Sequence, residues 1–146
     1  MAIRSAKGSL IKIGDGASPE VFDTISQVRS IAGPTTKAVV QDVTTHSTGD
    51  NWMESLATLI NPGTISFPLN YDKDDTTHAF TTGLWNLLIN LTRNNYRLVL
   101  PASIGYMNMP GYVTGHPFDL PVDNVIRVNV EITIIGAISA FNTAAP

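Results

Sequence analysis

"DNVIRVNVEITIIG", residues 123–136, decides the fold class. From Arg127 onward apolar and polar residues alternate strictly: Val128, Val130, Ile132 and Ile134 fall on one side, and Arg127, Asn129, Glu131 and Thr133 on the other. A period of two places successive side chains on opposite faces of a strand, and β-branched residues suit a half-buried pleat. The stretch therefore predicts a long strand with one apolar face and one solvated face.

"GTISFPLNYD" (63–72) repeats the pattern, with Ile65, Phe67, Leu69 and Tyr71 opposite Thr64, Ser66, Pro68 and Asn70. Proline cannot donate to a ladder, so Pro68 predicts an edge or bulge position. Further strands are predicted at 9–14, 26–33, 37–46, 96–101 and 109–116, separated by turn clusters such as "GDGASPE", "AGPTT", "TRNN" and "HPFDLPVDN". The expectation is a mainly β fold, a sandwich or barrel with short links.

Two segments break the alternation. In "THAFTTGLWNLLINLTR" (77–93), Phe80, Leu84, Leu87, Leu88 and Leu91 recur on one face of a 3.6-residue period. This predicts a helix flanking the sheet, capped by Thr76 or Thr77 and preceded by the acidic run Asp72–Asp75. In "HSTGDNWMESLATLINPG" (46–63), Trp52, Leu56, Leu59 and Ile60 fall at i, i+4, i+7 and i+8. A short amphipathic helix is predicted there, with Asn51 as N-cap and "NPG" as its stop, too short to be ordered without a packing partner.

Composition narrows the function. The 146 residues fit one domain, and charged residues make up only 14%, against roughly 25% in typical soluble domains. A sparsely charged surface is cheap to bury against partners. Nine basic and twelve acidic residues give a net charge of −3 with no basic stripe, which argues against gripping nucleic acid. There is no cysteine, so no disulfide or thiolate chemistry, and no apolar run has the length of a signal peptide or membrane span.

Catalytic and metal-binding patterns are equally weak. His46, His78 and His116 are far apart and lack metal-ligand spacing, so structural roles are expected for them. "GDGAS" has neither the lysine nor the helix of a phosphate loop, "DKDD" lacks an EF-hand register, and no Gly-x-Ser-x-Gly elbow occurs. No enzyme activity, metal or cofactor is expected.

Taken together, "SLIKIGDGASPEVFDTISQVRSIAGPTTKAVVQDVTTHST" (9–48), "DNWMESLATLINPGTISFPLNYD" (50–72) and "PGYVTGHPFDLPVDNVIRVNVEITIIG" (110–136) resemble the tail tube proteins of long-tailed siphovirus bacteriophages of the lambda type. The resemblance rests on four ordered elements: the "GDG…E.F..I" block, "GPTTKAVVQDVTTH" entering a long loop with a tryptophan, the "GTISFPLNYD" strand and the final "PVDNVIRVNVEITIIG" strand. The segment "LPASIGYMNMPG" (100–111) departs from the pattern and leaves its strand edges undefined.

The resemblance implies a single tail tube domain over 1–146, a β-sandwich or barrel with one flanking helix, related in fold to the tube proteins of type VI secretion. It implies hexameric rings stacked into a tube that carries viral DNA; some family members add an immunoglobulin-like domain, and none is expected in this sequence. The implied partners are further copies of the chain and the tail-tip initiator, tape measure and terminator proteins. DNA passes without specific binding and no membrane is involved; the location is the virion tail, after synthesis in the host cytoplasm. The loop matching 46–63 reaches neighbouring subunits and rings, which makes His46, Asp50, Trp52, Met53, Leu56, Leu59 and Ile60 the candidate contact residues. Asp42, Asp123 and Glu131, on or beside polar strand faces, are the candidate lumen-facing acids. A small-ligand-binding β-barrel is the alternative.

Overall fold

A computed structural model describes residues 3–47, 49–101, 104–139 and 141–143. Its strands are β1 (Leu10–Gly14), β2 (Phe22–Thr24), β3 (Lys37–Asp42), β4 (Ser55–Asn61), β5 (Thr64–Asn70), β6 (Asn94–Leu100), β7 (Gly105–Gly115), β8 (Phe118–Asp119) and β9 (Arg127–Ile134), with one helix, α1 (Leu84–Ile89). An antiparallel sheet runs in the order β2-β1-β6-β7-β9-β5, and β8 pairs with the start of β9.

β9 lies between β7 and β5, with one buried and one outward face as its alternation predicts. Val128, Val130, Ile132 and Ile134 are buried against Ile65, Phe67 and Leu69 of β5, Val113 and Met109 of β7, and Tyr96 and Leu98 of β6. β5 lies at the end of the sheet, consistent with Pro68. The Pro68 carbonyl points outward to accept the Arg29 N–H at 2.9 Å, so the missing proline N–H also faces away from β9 and costs no bond in that ladder.

The sheet is drawn towards closure by the segment after β2. Gln27, Arg29, Ala32 and Thr35 hydrogen-bond in turn to Asn70, Pro68, Ser66 and Thr64 of β5. One stretch of chain thus edges β1 at one end of the sheet and β5 at the other, giving the barrel-like form expected. The predicted strand 26–33 is reduced here to isolated bridges at Val28 and Ala32. Its register slips by one residue between Arg29 and Ala32 and again before Thr35, and Gln27 and Gly33 take positive φ values of 60° and 109°.

The predicted helix 77–93 is shortened to Leu84–Ile89. Thr76 and Thr77 do not cap it. The Asp75 carboxylate instead accepts the Thr77 N–H and hydroxyl and, through its other oxygen, the Ser26 hydroxyl, winding 75–83 into turns. At the far end, Leu91 N–H donates to the Leu88 carbonyl and Thr92 N–H to that of Leu87, a Schellman closure with Leu91 at φ 52°. Phe80 (52% exposed) and Leu91 (75%) therefore leave the face they were predicted to share. Leu84, Leu87 and Leu88 pack on the core, contributing about 5 to 9 kcal/mol at most.

His78 is buried and structural: Nδ1 accepts the Asp72 N–H at 2.9 Å, and Nε2–H donates to the Ser26 carbonyl at 2.9 Å. Among the described residues no group of three His, Asp or Glu side chains is placed to hold a metal ion. Among the described residues, no helix is long and apolar enough to cross a membrane.

Candidate assembly surface

The predicted helix in 46–63 is absent; a β-ribbon takes its place. β3 and β4 pair antiparallel with each other and not with the barrel sheet, and every residue of both strands is exposed. The register runs Ala38↔Ile60, Val39↔Leu59, Val40↔Ala57, Gln41↔Leu56, leaving Thr58 as an extra residue at a β-bulge. A bulge sets two residues against one, so the alternation resumes with its phase shifted. Leu56 and Leu59, three apart, consequently share a face with Val39, while Ile60 lies on the other face with Ala38 and Val40. Spacing of three and four mimics a helical stripe, which is how the sequence misleads here.

The root of this arm is fixed to the barrel. Thr35 N–H donates to the Thr64 carbonyl at 3.0 Å, Thr64 N–H to Thr35 Oγ1 at 2.9 Å, and Thr36 Oγ1 to the Pro62 carbonyl at 3.1 Å. Gly63 has φ +77°, and a Cβ there would meet Thr35 Oγ1 at 2.4 Å; only glycine allows the arm to leave the barrel at this angle. Beside the root, Ile60, Pro62, Ile135 and Ile138 line an apolar groove.

The tip is organised by its own polar groups. Val43 N–H donates to the Glu54 carbonyl at 2.9 Å and Glu54 N–H to Thr44 Oγ1 at 2.8 Å, extending the ribbon beyond β3 and β4. Trp52 N–H donates to Asp50 Oδ1 at 3.0 Å, so Asp50, rather than Asn51, supplies the local side-chain acceptor. Thr44 bonds hold the Asp42 carboxyl below the usual carboxylate range. Trp52 (78% exposed), Met53, Leu56, Leu59 (71%) and Ile60 contact no core of this chain, and His46 and Asp50 stand exposed in the tip.

The three acids named for the lumen lie in different places. Asp42 is on the arm, Asp123 is exposed in the turn before β9, and Glu131 is exposed on the outward face of β9 opposite Ser66 and Gly115. The outward barrel face also carries Lys12 and Arg97, which are cross-strand partners, so its charge is mixed.

Two apolar surfaces escape the sequence reading. Val39, Val40 and Val43 sit in a segment read as an ordinary strand yet are exposed, and Phe118, Leu120, Val122, Val125 and Ile126 are exposed in a stretch read mostly as a turn. The adjacent valines at 39 and 40 are the one available signal, since a strand with a single core-facing side does not place apolar residues consecutively.

No family model and no curated protein matches the chain. Solved structures do. A chain of the virion of a native gene transfer agent particle is 19% identical, with a TM-score of 0.75 over 96% of this chain and 99% of that one. A chain of the tail of an empty gene transfer agent particle, refined with C6 symmetry, is 19% identical with a TM-score of 0.73 over 94% and 98%. A chain of the six-fold symmetrised baseplate of the anti-feeding prophage is 10% identical, with a TM-score of 0.67 over 95% and 96%. The fold is of the tail-tube type, shared along nearly the whole chain with subunits of these tail and baseplate particles.

Proposed function

We propose that this chain is a structural tail tube subunit that assembles with copies of itself into stacked hexameric rings, forming a conduit for viral DNA. The observation that carries this reading is the arm. A two-stranded ribbon is at best marginally stable alone in water, and this one holds eight exposed large apolar residues from Val39 to Ile60 away from its own core. Such an element gains its stability by burial against another molecule, where a few aromatic and aliphatic anchors dominate the binding energy. The six-fold symmetry of the similar tail and baseplate structures supports another copy as that molecule. The tail-tip initiator, tape measure and terminator are the further partners this role requires, and the virion tail is its location.

Glu131, with Asp42 and Asp123, is proposed to present negative charge to the lumen, repelling phosphate so that DNA slides rather than binds. Reversing Glu131 and Asp123, which lie off the arm, should leave assembly intact and slow DNA ejection; unchanged ejection counts against the assignment. The ligand-binding alternative is disfavoured because the barrel interior is filled: Ile65, Phe67, Tyr96, Met109, Val130 and Ile132 are fully buried against one another. Negative-stain electron microscopy of concentrated protein tests the main reading. Six-fold rings or tubes are expected, whereas a persistent monomer in the presence of a tail-tip complex would overturn it.

A further inference from the structure

Arg97, in the middle of β6 on the outward barrel face, is held unusually firmly. Its guanidinium carbon lies 4.0 Å from the Phe22 ring centroid and 4.3 Å from that of Tyr106, and Nε donates to Asn108 Oδ1 at 2.8 Å. Tyr106 is itself anchored, its Oη accepting from Asn142 Nδ2 at 2.9 Å. A guanidinium stacked and oriented in this way has already lost its rotamer freedom, so its remaining donors are set for a planar anion at little further entropic cost. Among the described residues, no carboxylate and no hydrogen bond engages those terminal amino groups.

A second, independent observation is that Lys12 is the direct cross-strand partner of Arg97. Like charges directly opposite each other destabilise an antiparallel pair, and among the described residues neither forms an ion pair. An anion seated over the two would relieve the repulsion and complete the fork.

The arm carries the matching group. Of its acids, Asp42 is engaged by Thr44 N–H and Asp50 by Trp52 N–H. Among the described residues Glu54 is hydrogen-bonded through its backbone alone, and its exposed carboxylate falls in sequence between the exposed Trp52 and Met53 on one side and Leu56 on the other. A carboxylate flanked by a tryptophan and aliphatic side chains matches an arginine flanked by a phenylalanine and a tyrosine in both charge and surface. We propose that the Arg97–Lys12 site receives Glu54 from the arm of a second copy, so that the ion pair sets the register in which the apolar arm docks. This rests on the self-assembly reading and adds to it the place where the arm lands.

Charge exchange tests the pairing. Arg97→Glu and Glu54→Arg are each expected to raise the concentration for half-maximal ring formation by at least about tenfold, and the double variant to recover most of that loss. Glu54→Arg touches no side-chain contact within the subunit, and thermal melts of all variants as monomers separate folding from assembly; Arg97→Lys, which retains charge without the fork, should fall between. Two outcomes overturn the inference while leaving self-assembly standing: wild-type ring formation by folded Glu54→Arg, or a double variant no better than its parents. Duplex DNA binding that is lost in Arg97→Gln with assembly unchanged would assign the site to phosphate and also overturn it. Failure of the wild-type protein to form rings with a tail-tip complex would remove both readings.

Discussion

Gly83 lies directly against the carbonyl of Thr77: a Cβ on Gly83 would sit 2.4 Å from that oxygen and 2.6 Å from its carbon. The same carbonyl accepts the Leu84 N–H at 3.0 Å, so the close approach is part of how α1 begins. From helix propensity alone, alanine at 83 would be expected to stabilise by about 1 kcal/mol. The structure reverses that sign. Gly83→Ala must displace backbone and is expected to destabilise by about 1 to 3 kcal/mol, read as a lower midpoint in urea denaturation. A raised midpoint would show that the contact relaxes freely.

The other end of α1 offers the opposite opportunity. Leu91 occupies the left-handed position that ends a Schellman motif, where a side chain costs roughly 1 to 2 kcal/mol and glycine costs none of that steric strain. Being 75% exposed, Leu91 loses little burial when truncated. Leu91→Gly is expected to raise stability by about 1 kcal/mol, net of the added unfolded-state entropy. Thermal denaturation measures it, and a decrease would mean that the exposed leucine packs more than its burial indicates.

Tyr96 is fully buried on β6, and its hydroxyl has no hydrogen-bond partner among the described residues. Burial pushes its phenol well above the usual tyrosine range. A buried hydroxyl without a partner costs on the order of 1 to 3 kcal/mol, and removing it leaves almost no cavity. Tyr96→Phe is accordingly expected to stabilise by about 1 kcal/mol in denaturant titrations. Destabilisation would indicate a bonded hydroxyl.

His116 is buried, with its ring in T-shaped contact with those of Trp85 and Phe118 at centroid distances of 5.5 and 5.2 Å. Burial, reinforced by the nearby His78, outweighs a backbone hydrogen bond and lowers its pKa from the usual 6.5. The folded state therefore resists protonation more than the unfolded state. This contribution is complete above about pH 6.5 and is lost as pH falls through the lowered folded value. His116→Phe, which keeps an aromatic ring in place, should flatten the stability slope below pH 6.5, by at most about 1.4 kcal/mol per pH unit for one proton. Equal slopes in the two proteins, or an NMR titration of His116 at an ordinary value, would refute the cause given.

What could be read from the sequence follows where side chains alone carry the information. Alternation in 127–134 and 64–70 gives two core strands with the correct faces, because each has one buried side. Pro68 marks the edge for the same local reason. The segment 26–33 is obscured by two register slips, which have no compositional signature. Phe80 and Leu91 are helical in spacing but lie outside α1, since Asp75 captures Thr77 at one end and the closure at Leu91 stops the other. In the arm, Thr58 shifts the phase of the pattern, so a β-ribbon presents a helix-like period. The apolar residues that the arm exposes could still be named, although their secondary structure could not. The placement of the three acids was beyond sequence reading because it depends on which turns and strands share a surface.

The bulge at Thr58 makes the arm testable in a way that a helix would not be. Leu56 and Leu59 share one face with Val39, and Ile60 occupies the other with Val40. If the first face is the one that docks, Trp52→Ser with Leu56→Ser should give a soluble subunit whose thermal midpoint is nearly that of the wild type, because neither residue touches the core. That subunit should fail to form rings or tubes in electron micrographs at concentrations where the wild type assembles. Ile60→Ser, on the second face, should impair assembly less. Loss of the folded monomer in the double variant would show that these side chains serve their own subunit; equal effects on both faces would show that the ribbon is buried on both sides in the assembly.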